Sequence, residues 1–228
     1  MPILLHIPDG FLNAPVAALF YLLTAAILGV AIWRTNQTLD ERTVPLMGVL
    51  AAFIFAAQMM NFPIAGGTSG HLLGGALAAI LLGPWAAIIV MSVVIGVQAL
   101  IFQDGGLAVL GANIFNMGIL TAFVGFGIFR LAMNIGGAKR SVILAGTFVA
   151  AWVSVMVAAV ATSAELVVSG TSTWNVVLPA MMGVHVLIGI GEGLISVGAV
   201  AFVLASRPDL LHLPPAEPAT MTLQREVV

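Results

Sequence analysis

The chain has 228 residues, of which 61% are hydrophobic and 7% charged. An average soluble domain is about 25% charged, so a soluble globule of this composition would lack the charge to cover its surface. Seven basic and nine acidic residues leave a net charge of −2 and no basic patch, and there is no cysteine. These counts exclude a soluble enzyme, a nucleic-acid binder, disulfides and thiolate chemistry. The chain reads as an integral membrane protein forming one compact bundle.

A spanning helix needs roughly 20 mostly apolar residues. Six stretches come close, at residues 11–33, 44–60, 71–102, 108–129, 142–168 and 174–204. The first lacks the basic flank of a cleavable signal peptide and is too long for one. The third is 32 residues long and is interrupted by Gly83-Pro84, where a proline kinks or ends a helix. Basic residues decide whether it is one helix or two. They stand at Arg34 and Arg42, at Arg130, Lys139 and Arg140, at Arg207 and at Arg225. Basic loops stay in the cytoplasm, and only a count of seven helices puts all of these on one face. The expected fold is therefore an all-α membrane protein of seven transmembrane helices, with the N-terminus outside and the C-terminus cytoplasmic. Residues 1–206 form the membrane domain. Residues 207–228 hold Pro208, Pro214, Pro215 and Pro218 and read as an unstructured cytoplasmic tail, either solvated or partner-binding.

With that orientation, polar residues gather on the outer side. They include His6 and Asp9, Gln58 and Asn61, Thr68, Ser69 and His71, Gln98, Gln103 and Asp104, Asn113 and Asn116, and Ser163 and Glu165. Polar groups in a membrane must pair or line a wet cavity. The pattern fits a site open to the outside above an apolar floor, or amides that join helices. A channel would need polar residues through its full depth. His185 and Glu192 are seven apart, so they share one face of the last helix near mid-membrane. They read as a proton or ion relay, or as a buried pair satisfied by neighbouring amides.

Neither HExxH nor GxxxxGK[ST] occurs, so zinc-protease and P-loop chemistry are absent from the chain. Two outer histidines remain, and imidazole suits nickel, cobalt, copper and zinc. Glycines crowd His71, which lets backbone approach a ligand closely. Pro8 and Gly10 impose a compact turn after His6. Asp9 can orient an imidazole or cap the first helix.

Three segments carry a resemblance. His6-Ile7-Pro8-Asp9-Gly10-Phe11-Leu12, Gly70-His71-Leu72-Leu73-Gly74-Gly75 and Gly183-Val184-His185-Val186-Leu187-Ile188-Gly189-Ile190-Gly191-Glu192 resemble the signatures of the CbiM/NikM family. Its members are the metal-binding membrane subunits, or S components, of energy-coupling-factor transporters for cobalt and nickel. The similarity runs to about Arg207. It implies seven helices and a near-square-planar set of nitrogens. These would be the free terminal amine, the amide nitrogen and imidazole of the second residue, and the imidazole of a histidine before the third helix. Carried over, the imidazoles are His6 and His71, with Asp9, Ser69, Gln98 and Asn113 around them.

In that family the first histidine follows the initiator methionine, whereas five residues precede His6. Initiation at Leu5, decoded as methionine, would restore the chelate and make Leu5 the source of the amine. The resemblance implies transported Co2+ or Ni2+ and no permanent cofactor. It also implies partners: a coupling transmembrane subunit, two ATP-binding subunits and a small accessory membrane subunit. Gly48, Ala52 and Ala56 lie at i, i+4 and i+8 and form a smooth ridge, suited to a partner helix or to packing inside the bundle. The other readings are an S component for an organic micronutrient such as a vitamin, and a membrane enzyme using His185 and Glu192.

Overall fold

The computed structural model describes residues 6–41, 43–59, 62–64 and 68–211, with 62–64 and 68–70 described in backbone alone. Asn13 starts the first helix, α1 (Ala14–Thr38): its Oδ1 accepts from Val16 N–H at 3.0 Å, and a proline opens the first turn. Asp40 caps α2 (Thr43–Gln58) by accepting from Thr43 N–H at 2.7 Å. A short antiparallel ribbon follows, β1 (Phe62–Ile64) against β2 (Thr68–Gly70), with Pro63 opposite Ser69. The sequence gives no alternation strong enough to announce it.

The third apolar stretch resolves into two helices. α3 (Gly75–Leu82) ends at Gly83, and α4 (Pro84–Ile101) starts there. Gly83 has φ of +78°, a conformation that glycine alone adopts cheaply, and Pro84 cannot continue the preceding helix. Every residue of α3 is buried, yet its eight residues rise only about 12 Å. The buried, non-helical segment 71–74 leads into it.

α5 (Leu110–Gly136) contains a wide π-helical turn at Phe115–Leu120. α6 (Arg140–Val168) and α7 (Trp174–Ser206) complete the bundle. By length and composition, α1, α4, α5, α6 and α7 can each cross a membrane, while α2 is apolar but only 16 residues long. The helical membrane architecture thus matches expectation, with the ribbon as an addition.

One sequence boundary is corrected: α5 runs on through Arg130 to Gly136 rather than stopping near residue 129. After α7, Pro208–Leu210 form a 3₁₀ turn, Arg207 and Asp209 pair at 2.8 Å, and Leu211 packs on the core. Residues 212–228 and Arg42 lie outside the described residues.

The core is centred on α3 and α4, with Leu77, Ile80, Ile88, Met91 and Ile95 fully buried. Glycines set the closest helix crossings. A Cβ on Gly125 of α5 would stand 2.5 Å from Ala76 Cβ of α3. A Cβ on Gly111 of α5 would stand 2.7 Å from the Tyr21 backbone of α1. On α7, Gly189 and Gly193 leave room for Trp152 and Phe148 of α6. One glycine of the third sequence signature, Gly189, is thus a helix-packing position, as is Gly193 just beyond it.

Candidate metal site

The N-terminal segment is held by the loop that follows α4. Asn113 clamps Ile7 from both sides: its Oδ1 accepts from Ile7 N–H at 3.0 Å, and its Nδ2 donates to Ile7 O at 3.1 Å. Gly106 N–H adds a bond to Ile7 O at 2.9 Å. Ala108 N–H donates to Asp9 Oδ1 at 2.8 Å. Asp9 is therefore engaged by the loop, and the cap of α1 is Asn13, not Asp9. The contact is close because positions 105 and 106 are glycine. A Cβ on Gly106 would lie 2.1 Å from Asp9 Oδ1, and one on Gly105 would lie 2.8 Å from His6 Cβ.

This clamp delivers His6 into the interior. Its Nδ1 donates to Asp104 O at 3.1 Å, so the lone pair resides on Nε2, which is buried without a hydrogen-bond partner. Burial, and secondarily the neighbouring His71, push the His6 pKa down to about 4, against a smaller opposing pull from Asp104. The imidazole is therefore neutral at pH 7 and able to donate that lone pair to a metal.

His71 stands beside it. The two rings meet edge to face with centroids 5.1 Å apart, and each residue is 6% exposed. His71 Nδ1 donates to Leu72 O at 2.8 Å, which again leaves the lone pair on Nε2. The following backbone is non-helical and buried. Leu73 N–H and Gly74 N–H donate to the two oxygens of Glu192 at 2.6 and 2.8 Å. Leu73 O accepts from Gln58 Nε2 at 2.6 Å. Gly74 has φ of +83°, and a Cβ there would stand 2.8 Å from Ile54 Cγ2. A Cβ on Gly75 would stand 1.9 Å from Thr121 Oγ1. The second signature thus carries glycine where side chains do not fit.

Histidines 65 positions apart in sequence are therefore neighbours in space. Among the described residues, no group of three or more His, Cys, Asp or Glu side chains converges on one point. Two imidazoles alone make an incomplete shell, so a bound ion here draws further donors from elsewhere.

The remaining expected residues fall as follows. Gln98 is fully buried, and its side-chain amide has no hydrogen-bond partner. Its backbone oxygen accepts from the N–H of Asp104 at 3.0 Å, the same residue whose carbonyl holds His6. Asn113 acts on the Ile7 backbone. The side chain of Ser69, Leu5 and Asn61 lie outside the described residues. Gly48, Ala52 and Ala56 are all exposed on α2, and a Cβ on Gly48 would meet nothing within 4 Å. The ridge thus faces away from the bundle.

His185 and Glu192 are not hydrogen-bonded to each other. His185 Nδ1 donates to Met181 O at 2.7 Å, and Glu192 takes the two backbone amides described above. Sequence reasoning allowed for amides around Glu192 but could not identify them as backbone N–H groups. It also missed Asp104 O, because a backbone acceptor leaves no mark in the residue type. A second polar cluster joins α5 to α6, where Asn116 Nδ2 donates to Glu165 Oε2 at 2.9 Å and Thr162 Oγ1 at 3.2 Å.

Comparison with known proteins agrees with this architecture. Residues 6–210 match the family model described as the cobalt uptake substrate-specific transmembrane region, CbiM. The chain is 43% identical over 210 residues to an Archaeoglobus fulgidus protein named as a fused nickel transport protein, NikMN, covering 91% of this chain and 68% of that longer one. It is 35% identical to the cobalt transport protein CbiM of Sorangium cellulosum, covering 91% of this chain and 94% of that protein. The crystal structure of a truncated transition metal transporter superposes with a TM-score of 0.80 at 36% identity, covering 88% of this chain and 98% of that one. With two neighbouring imidazoles at one pole of a helical membrane bundle, this chain belongs to the CbiM/NikM family of cobalt and nickel transport proteins.

Proposed function

We propose that this chain is the substrate-capture subunit of an energy-coupling-factor importer and that it binds Co2+ or Ni2+ with the imidazoles of His6 and His71. The observation that carries this reading is their placement: two buried imidazoles whose ring centroids lie 5.1 Å apart, each donating Nδ1–H to a backbone carbonyl. A planar nitrogen shell suits Ni2+ well and Co2+ acceptably. The remaining nitrogens of this proposal are the amide of His6 and an α-amine at position 5, which requires translation to begin at Leu5; an imidazole that shares an ion with its own amide nitrogen binds through Nδ1, so His6 releases Asp104 O on binding. An intact mass starting at that residue supports the full chelate, and a mature chain beginning at Met1 or Pro2 contradicts it.

In the proposed topology the chain crosses the bilayer seven times, with 71–82 as a discontinuous crossing that is non-helical first and helical after. Arg34, Arg130, Lys139, Arg140 and Arg207 then face the cytoplasm, as basic residues do. The histidine pole faces outside, and the segment beyond Leu211 is a cytoplasmic tail. The chain lacks a P-loop, so ATP hydrolysis falls to two partner ATP-binding subunits acting through a coupling membrane subunit. A small accessory membrane subunit completes the complex. The ridge of Gly48, Ala52 and Ala56 is the surface we assign to the coupling subunit, since all three residues are exposed.

Titration calorimetry with Ni2+ and with Co2+ tests the reading. We expect binding to wild type and a loss of at least 100-fold in His6→Ala and in His71→Ala. Unchanged affinity in both would contradict it and favour an organic substrate. Metal content of cells expressing the chain with its partners identifies the transported ion.

A further inference from the structure

The peptide that follows His71 is fixed plane by plane by side chains from other helices. In the Leu72–Leu73 peptide, the N–H donates to Glu192 Oε2 at 2.6 Å and the carbonyl accepts from His71 Nδ1 at 2.8 Å. In the Leu73–Gly74 peptide, the N–H donates to Glu192 Oε1 at 2.8 Å and the carbonyl accepts from Gln58 Nε2 at 2.6 Å. Both planes are thus held at both ends. Glu192 and Gln58 are each 0% exposed.

A carboxylate buried in a membrane domain is costly to keep. The need it meets here is local: the two amides ahead of α3 have no helical acceptor, because first-turn N–H groups lack one, and both donate to Glu192. Gly74 has φ of +83°, so the chain departs from helical geometry there. The non-helical turn at 71–74 leads His71 to its place beside His6, and Glu192 supplies the acceptors for Leu73 N–H and Gly74 N–H. Through one peptide group the carboxylate also reaches the imidazole. It orients and polarises the amide whose carbonyl receives His71 Nδ1–H, which strengthens that acceptor and favours electron donation from Nε2. Metal-bound histidines commonly use their other nitrogen on a carboxylate or a carbonyl; here the two are joined in series.

We propose that Glu192 is the positioning residue of the metal site, acting on His71 through the Leu72–Leu73 peptide, with Gln58 bracing the next one. The proposal rests on the reading of His71 as a metal ligand. It goes beyond that reading by assigning the site's geometry to a helix that supplies no ligand.

The test uses the full chain and Ni2+ alone. Glu192→Gln retains the size but offers an NH2 group to one of two N–H donors, so one plane is released. We expect Ni2+ binding 10- to 100-fold weaker, with an altered ligand-field absorption spectrum at saturating metal. Glu192→Asp, with the charge on a shorter arm, falls between. An affinity within twofold of wild type, or an unaltered spectrum, overturns the proposal. If Glu192→Gln does not fold, Gln58→Met and Glu192→Asp decide by the same two readouts, and wild-type behaviour in both overturns it. His71→Ala is the control that separates the two claims. Wild-type binding there defeats the ligand assignment itself, whereas lost binding there with retained binding in Glu192→Gln defeats the positioning role alone.

Discussion

At the pole that holds His6, polar side chains bond to the backbone of other segments. Asn113 holds Ile7, Asp9 holds Ala108, Gln58 holds Leu73, and Glu192 holds Leu73 and Gly74. Deeper in the bundle and toward the basic pole, the hydroxyls turn back on their own helix. Ser92 donates to Ile88 O, Thr147 to Ile143 O and Ser206 to Phe202 O, each four residues back. A bond to one's own helix neutralises a hydroxyl and places nothing. A bond across segments fixes where one segment stands against another. The histidine pole is thus a placed constellation, and the basic pole is packing.

The sharpest way to break this comparison is to fill space at each end. In Gly75→Ala the new Cβ would stand 1.9 Å from Thr121 Oγ1 and 2.8 Å from Met117 O, so neighbours must shift. We expect a loss of about 3 kcal/mol in thermal unfolding, at the upper end for overpacking. Gly48→Ala, which meets nothing within 4 Å, should change stability by less than about 0.5 kcal/mol.

A second contrast removes hydrogen bonds. Asn113→Leu strips the clamp from Ile7 and should cost about 1–3 kcal/mol, with Ni2+ affinity falling about 10-fold or more. Thr147→Val removes a bond that the helix makes to itself and should leave both quantities nearly unchanged, by unfolding and by calorimetry. A bulky side chain on the ridge, as in Gly48→Leu, should leave metal binding intact and abolish co-purification with the coupling subunit.

Titration gives the smallest effect. Burial and His71 hold the His6 pKa at about 4, below the ordinary 6.5. Between those values the unfolded chain binds the proton and the folded one does not, so stability falls as pH drops from 6.5 toward 4. Thermal midpoints of the metal-free protein should follow that slope, and His6→Gln should flatten it.

Much of this was legible in the sequence. Apolar length and the Gly83-Pro84 break placed the helices, because hydrophobic length and proline geometry act locally. The spacing of glycines around His71 signalled close backbone approach, and Gly74 and Gly75 do stand where a side chain would collide. Other features depend on contacts between distant segments. α3 is only eight residues long, and the non-helical chain before it bonds to Glu192, more than a hundred residues away. Asp9 carries the same carboxylate whether it serves an imidazole, a helix end or Ala108 N–H, so residue type could not choose among them. The acceptors of His6 and His71 are carbonyls, which every residue possesses.

The central claim is that His6 and His71 hold one metal ion together. X-ray absorption at the nickel edge of the Ni2+-loaded full chain tests it most directly. We predict a nitrogen shell with the outer-shell scattering of two imidazoles, reduced to one in His71→Ala. A shell of oxygen atoms, or a spectrum unaltered in that variant, would contradict the account.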